Sequence, residues 1–129
     1  MPEDRNPNEH ALPNYQNAVI PREKVERYCL DPKHESHVYG KSSGKDKARV
    51  FKAVLGFEQA DWELLKHRIL EALPYYEAIL GDEDEHGKRY TVRVTITGSN
   101  GNTDVVLTAW IMRPGTDFPA LTTAWCMGG

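Results

Sequence analysis

Three groups of residues in this 129-residue chain have types and spacings suited to chemistry. The first is the basic stretch 41–52, KSSGKDKARVFK, where Lys41, Lys45, Lys47, Arg49 and Lys52 stand against a single acid, Asp46. Lys41-Ser42-Ser43-Gly44 leads into a helix, whose first N–H groups favour anions, so a phosphate or an RNA backbone is the ligand this stretch would take. It is not a nucleotide-triphosphate loop: the G-x-x-x-x-G-K spacing is missing and no strand leads in. A solvated helix face accounts for the same cations without a ligand. The second group is His34 and His37, with Cys29 and Asp31 nearby. C-x4-H-x2-H matches no standard zinc spacing, so no metal is expected. An imidazole there could serve as a general acid or base, because it titrates near neutrality. The third group is Arg93, Thr95, Thr108 and Trp110, which the hairpin register below places on one sheet face. Arginine suits a phosphate, hydroxyls supply neutral donors and an indole can stack on a base. The plain alternative is a face covered by the N-terminal segment or by a partner chain.

The elements that must position these groups change period halfway along the chain. Pro21 suits a first helical turn, Val25, Tyr28 and Cys29 follow at helical spacing, and Asp31-Pro32 closes a helix over 21–30. Ala48, Phe51, Val54 and Leu55 form the stripe of a second helix, 45–55, which Gly56 ends. Asp61 could cap a third, in which Trp62, Leu65, Ile69, Ala72, Leu73 and Tyr76 fit one broad face and which Pro74 should kink or end. Asp82 to Glu85 reads as a solvated acidic connection. Alternation then begins: Tyr90, Val92, Val94 and Ile96 against Thr91, Arg93, Thr95 and Thr97. A second run, 104–112, follows Asn100-Gly101, the strongest short-range hairpin signal, and a third strand is expected over 120–126. A two-residue turn at Asn100-Gly101 sets Ser99 opposite Asn102, Arg93 opposite Thr108 and Thr91 opposite Trp110. The core face is then Tyr90, Val92, Val94, Ile96, Val105, Leu107, Ala109 and Ile111. Arg93, Thr108 and Trp110 lie on the open face. The expected fold is α+β: about three N-terminal helices packed on one face of an antiparallel sheet of three to four strands.

Composition bounds the rest. Hydrophobic residues make up 40% and charged residues 27%, an ordinary globular mixture with room for one domain. Residues 1–19, rich in Pro and Asn, read as a flexible segment ahead of a single domain over 20–129. No apolar run approaches the ~20 residues of a membrane helix, and residues 1–17 lack the pattern of a secretory signal. Two distant cysteines, Cys29 and Cys126, read as buried reduced thiols rather than a disulfide framework or a nucleophile. A cytoplasmic protein is expected. The net charge of −3 argues against a general nucleic-acid binder but leaves room for a local basic site.

From Ile20 onward the chain resembles a bacterial family of unknown function found alone and at the C-termini of polymorphic toxins. The resemblance rests on Pro21 and Lys24, Tyr28-Cys29-Leu30-Asp31-Pro32, and Gly44-Lys45-Asp46-Lys47-Ala48 leading to Phe51 and Leu55-Gly56-Phe57. It continues through Gly98-Ser99-Asn100-Gly101, Trp110 and Leu121-Thr122-Thr123-Ala124. More remotely, helices followed by an antiparallel sheet resemble the barnase–EndoU–colicin–RelE group of ribonuclease toxins. That resemblance implies metal-independent RNA cleavage, with no cofactor, by side chains on a sheet face and an adjoining helix. Carried over by position, Lys47 and Arg93 would be cations at the phosphate, Thr122 or Thr123 a hydrogen-bond donor, and His37 the acid or base. Lys41, Lys45, Arg49, Thr108 and Trp110 would bind substrate. RNA and a cognate immunity-type protein are the implied partners. The competing reading is a non-catalytic binding or assembly module, such as an immunity, antitoxin or scaffold protein.

Overall fold

The computed structural model describes residues 6–27, 29–31 and 44–128. Lys41, His34 and His37 lie outside the described residues, as do the side chains of Lys45 and Asp46. Three helices and four strands follow one another: α1 (Arg22–Glu26), α2 (Gly44–Val50), α3 (Trp62–Ala72), β1 (Ala78–Asp84), β2 (Gly87–Thr97), β3 (Thr103–Met112) and β4 (Ala120–Cys126). The strands form one antiparallel sheet in the order β1-β2-β3-β4, and the helices pack on a single face of it.

α1 is shorter than the apolar spacing suggests: its last α-type bond is Arg27 N–H to Glu23 O at 2.9 Å, and the chain then widens, with Leu30 N–H donating to Val25 O at 3.0 Å. α2 continues through a wider π turn, Phe51–Leu55, and stops at Gly56, whose φ of 75° glycine adopts without steric cost. α3 follows a short 3₁₀ turn in which Asp61 Oδ2 accepts the Glu58 N–H at 2.8 Å. It passes into the turn Leu73–Tyr75, as Pro74 requires. β1 is the fourth strand that the expected three to four allow, at a place that no alternation marks. It takes in Asp82 to Asp84, so most of the acidic run lies on an edge strand and only its last residue, Glu85, falls in the connection to β2.

The hairpin between β2 and β3 corrects the expected register by one residue. Gly101 N–H donates to Gly98 O at 3.1 Å, Gly98 N–H donates to Asn102 O at 2.7 Å, and Thr97 pairs with Thr103. The loop is therefore three residues, Ser99 to Gly101. A two-residue turn of the favoured type would need positive φ at Asn100 as well as Gly101, and here only Gly101 has it, at 86°. The loop also has a second duty. Asn100 Nδ2 and Asn102 Nδ2 donate to Val54 O at 3.2 and 3.3 Å, and Ser99 Oγ donates to Gly56 O at 2.7 Å. These carbonyls at the end of the α2 extension would otherwise lack partners. Gly98 permits the approach, since a Cβ there would collide with the Leu55 carbonyl.

A one-residue shift sends every β3 side chain to the other face. Arg93 faces Leu107 rather than Thr108, and Trp110 faces Tyr90. Trp110 and Thr108 are therefore buried under the helices, not displayed on the open face. The core gathers Val92, Val94, Ile96, Val106 and Trp110 against Phe51, Leu55, Leu65, Ile69 and Leu73. Trp110 Nε1 donates to Thr108 Oγ1 and Thr108 Oγ1 donates to Val92 O, both at 2.8 Å, so each buried polar group is satisfied. Val105, Leu107, Ala109 and Ile111 turn to the outer face with Thr91, Arg93 and Thr95.

The N-terminal segment is laid along both ends of this sandwich. Leu12 is fully buried, Asn8 N–H donates to Pro74 O and Ala78 N–H donates to His10 O, each at 2.8 Å. Val19 forms a parallel bridge with Ala120 at the β4 edge.

Candidate functional site

β4 owes its two-sidedness to a bulge. Ala109 pairs with Thr123 while the next residue, Trp110, pairs with Leu121, leaving Thr122 as the extra residue. Without it, Leu121 and Thr123 would share a face. With it, Leu121, Ala124 and Cys126 point to the core, and Thr123 and Trp125 join the outer face. Thr122 Oγ1 donates to Ala109 O at 3.1 Å, which ties the bulge down.

Lys47, near the end of α2, reaches across to this outer face. Its Nζ donates to Thr123 Oγ1 at 2.7 Å and lies 5.4 Å from the centroid of the Trp125 ring. Burial pushes the Lys47 amine below the ordinary lysine range, and the adjacent Cys29 works weakly the other way. Among the described side chains, which do not include that of Asp46, no carboxylate forms an ion pair with it. A half-buried ammonium whose described contacts are a hydroxyl and an indole is suited to an anion. Cys29 sits behind Lys47: its thiol donates to Ala124 O at 3.2 Å, and burial pushes its ionisation up, away from the thiolate.

Arg93 shares this face. The rows Arg93–Leu107–Trp125 and Thr91–Ala109–Thr123 run straight across β2, β3 and β4. Arg93 and Trp125 are thus two strand spacings apart, about 10 Å at the backbone. Arg93 is exposed, Leu107 is wedged between the two at 8% exposure, and small Ala109 floors the parallel row. The structure thus gathers Lys47, Thr123 and Arg93 on one side of the sheet. It separates Thr108 and Trp110 from them. Arg49 instead lines a cleft of about 750 Å³ that also takes in Leu30, Ala48, Phe57 and Lys52.

Trp125 was missed by the sequence reading. The signal that could have found it is the Thr-x-Trp spacing at 123–125, which repeats the Thr-x-Trp of 108–110. Among the described residues no group of three or more His, Cys, Asp or Glu side chains is placed to hold a metal ion. No helix among them is long and apolar enough to cross a membrane.

The molecule is an α+β domain with one sheet face packed and the other bearing a cation, hydroxyl and indole cluster. It belongs to the family described as a domain of unknown function, DUF6883, whose model matches residues 11–128. No curated protein and no solved structure matches the chain.

Proposed function

We propose that the domain is a toxin-like, metal-independent endoribonuclease working from the outer sheet face. The observation that carries this reading is Lys47: a half-buried cation held against Thr123 and Trp125, with the Arg93 guanidinium on the same face. Lys47 rests as the ammonium that meets the phosphate; burial enlarges its minor neutral fraction, and that fraction would take the proton of a ribose 2′-hydroxyl. The 2′-oxygen then attacks the adjoining phosphorus and the bond from phosphorus to the 5′-oxygen breaks. The leaving oxygen takes a proton from an acid, the role the sequence reading gives to His37. Arg93 and the Thr123 hydroxyl steady the charge on the phosphoryl oxygens. The products carry a 2′,3′-cyclic phosphate and a 5′-hydroxyl. On this reading RNA is the substrate, and a cognate immunity-type protein would act by covering the outer face.

The test is incubation of the purified protein with total RNA in EDTA. Fragments ending in cyclic phosphate are the expected result, and intact RNA would overturn it. A second reading, a non-catalytic assembly module, has its own support at the opposite edge of the sheet. There Ile79 and Leu80 on β1 are 52% and 54% exposed, an apolar edge suited to pairing with another strand. Intact RNA together with concentration-dependent self-association, lost on Ile79→Lys, would favour that reading.

A further inference from the structure

We infer that the outer face selects unpaired nucleic acid, with Trp125 as the platform on which one base stacks beside the phosphate held by Lys47. The inference rests on the ribonuclease reading for the scissile step but not for the binding.

The three tryptophans are held differently. Trp110 is buried at 1% exposure and its indole N–H is satisfied by Thr108. Trp62 is half-buried on α3, with the Arg22 guanidinium 4.6 Å from its ring, and Arg22 is itself paired with Glu26 at 3.0 Å. That cation is already neutralised. Trp125 is half-buried on a sheet face, its indole N–H bonded to no described group, and the cation over its ring has no described carboxylate partner. It is therefore the tryptophan whose cation can accept an external anion while the ring meets something flat.

Geometry then chooses the kind of strand. Lys47 Nζ at 5.4 Å from the ring centroid sets an anion and an aromatic contact within the reach of a single nucleotide. A base inside a duplex has both faces covered by its neighbours and offers only its edges, so it cannot lie on an indole. An unpaired base can, and every base has a π-face to offer. Arg93, two strands away, meets a neighbouring phosphate of an extended chain. A duplex could engage the two cations but not the ring.

The experiment uses a 2′-O-methyl RNA oligonucleotide, which lacks the attacking hydroxyl and cannot be cleaved by the proposed step. Its binding to the full chain is followed by fluorescence anisotropy, as a single strand and annealed to its complement. The expected result is at least tenfold tighter binding of the single strand. Trp125→Leu should weaken single-strand binding by about five- to 150-fold, the span of base–aromatic stacking, and leave duplex binding unchanged. Trp125→Phe, which keeps a ring, should restore most of the loss, and unchanged thermal midpoints show that both variants fold. Equal affinity for single strand and duplex, or a Trp125→Leu protein that binds like wild type, overturns the inference. So does binding of neither, which would leave the face to a protein partner. Cleavage of unmodified RNA is scored separately: binding without cleavage sinks the ribonuclease reading and keeps the stacking platform, and cleavage indifferent to Trp125 does the reverse.

Discussion

The two faces of the sheet carry the same short pattern, threonine and tryptophan two residues apart, and treat it in opposite ways. On the inner face the Trp110 indole donates to Thr108, and Thr108 donates to Val92 O. That circuit is neutral, closed and buried. On the outer face Thr123 accepts from the Lys47 ammonium, which also lies over Trp125. This second arrangement holds a positive charge partly out of water without a described counter-ion. The difference teaches how to tell a structural polar pair from one that could work. The first has every hydrogen bond answered from within the core, so it fixes packing. The second keeps a cation in a state that costs free energy unless an anion arrives.

The comparison can be broken most decisively at the tryptophans. Trp110→Ala should cost ~3–5 kcal/mol, the range for deleting a large buried aromatic, whereas Trp125→Ala should cost clearly less while binding of single strands falls. Urea midpoints of the two variants check this, and equal midpoints would erase the distinction between the faces. At the threonines the contrast narrows. Thr108→Val leaves the buried Trp110 N–H without an acceptor and should cost about 1–3 kcal/mol. Thr123→Val removes one partly solvated hydrogen bond at about 1 kcal/mol, yet should lower RNA cleavage at least tenfold. Arg93→Ala is a sharper separation still. Its side chain is exposed, so stability should change by no more than ~0.5 kcal/mol, while cleavage and phosphate affinity drop. A Thr123→Val or Arg93→Ala protein with full activity would place the chemistry elsewhere.

The effect smallest at neutral pH concerns the two thiols on the core side. Burial pushes the ionisation of Cys29 up, and burial together with Asp104, whose Oδ2 accepts the thiol at 2.8 Å, pushes Cys126 up to about 12. Below about pH 8.5 folded and unfolded chains both keep these protons. Above it the unfolded chain releases them first, so stability should fall as pH rises towards 12. Lys47 acts in the reverse sense, since its lowered value leaves the unfolded chain holding the extra proton just below 10.5. Cys126→Ala should therefore flatten the alkaline decline of the urea midpoint. An unchanged slope would mean that Asp104 does not hold the thiol protonated.

What the sequence disclosed and withheld follows from how each strand is patterned. β2 alternates cleanly, Val92, Val94 and Ile96 against Thr91, Arg93 and Thr95, so its inward face and the exposure of Arg93 were legible. β3 is apolar on both faces, so its pattern fits either register, and the turn had to decide. Asn100-Gly101 suggested a two-residue turn, but Asn100 also caps the end of the α2 extension, a contact 46 residues away in sequence. Thr108 and Trp110 were misplaced for that reason alone. Trp125 was hidden by the Thr122 bulge, which no alternation predicts. Lys47 and Thr123 were named from different parts of the chain, and their meeting across 76 residues is a tertiary fact.

The central claim is that Lys47 on the outer face is the reactive group, and Lys47→Met tests it most directly because methionine keeps the length and the packing over Trp125. End-labelled single-stranded RNA in EDTA is incubated with wild type and variant across a pH series. The account predicts that wild-type cleavage rises with pH along a limb set by an amine below 10.5, and that Lys47→Met loses both the cleavage and the limb while remaining folded, with stability within about 1 kcal/mol of wild type by urea unfolding. Cleavage by Lys47→Met at the wild-type rate, or with the wild-type pH profile, would contradict it.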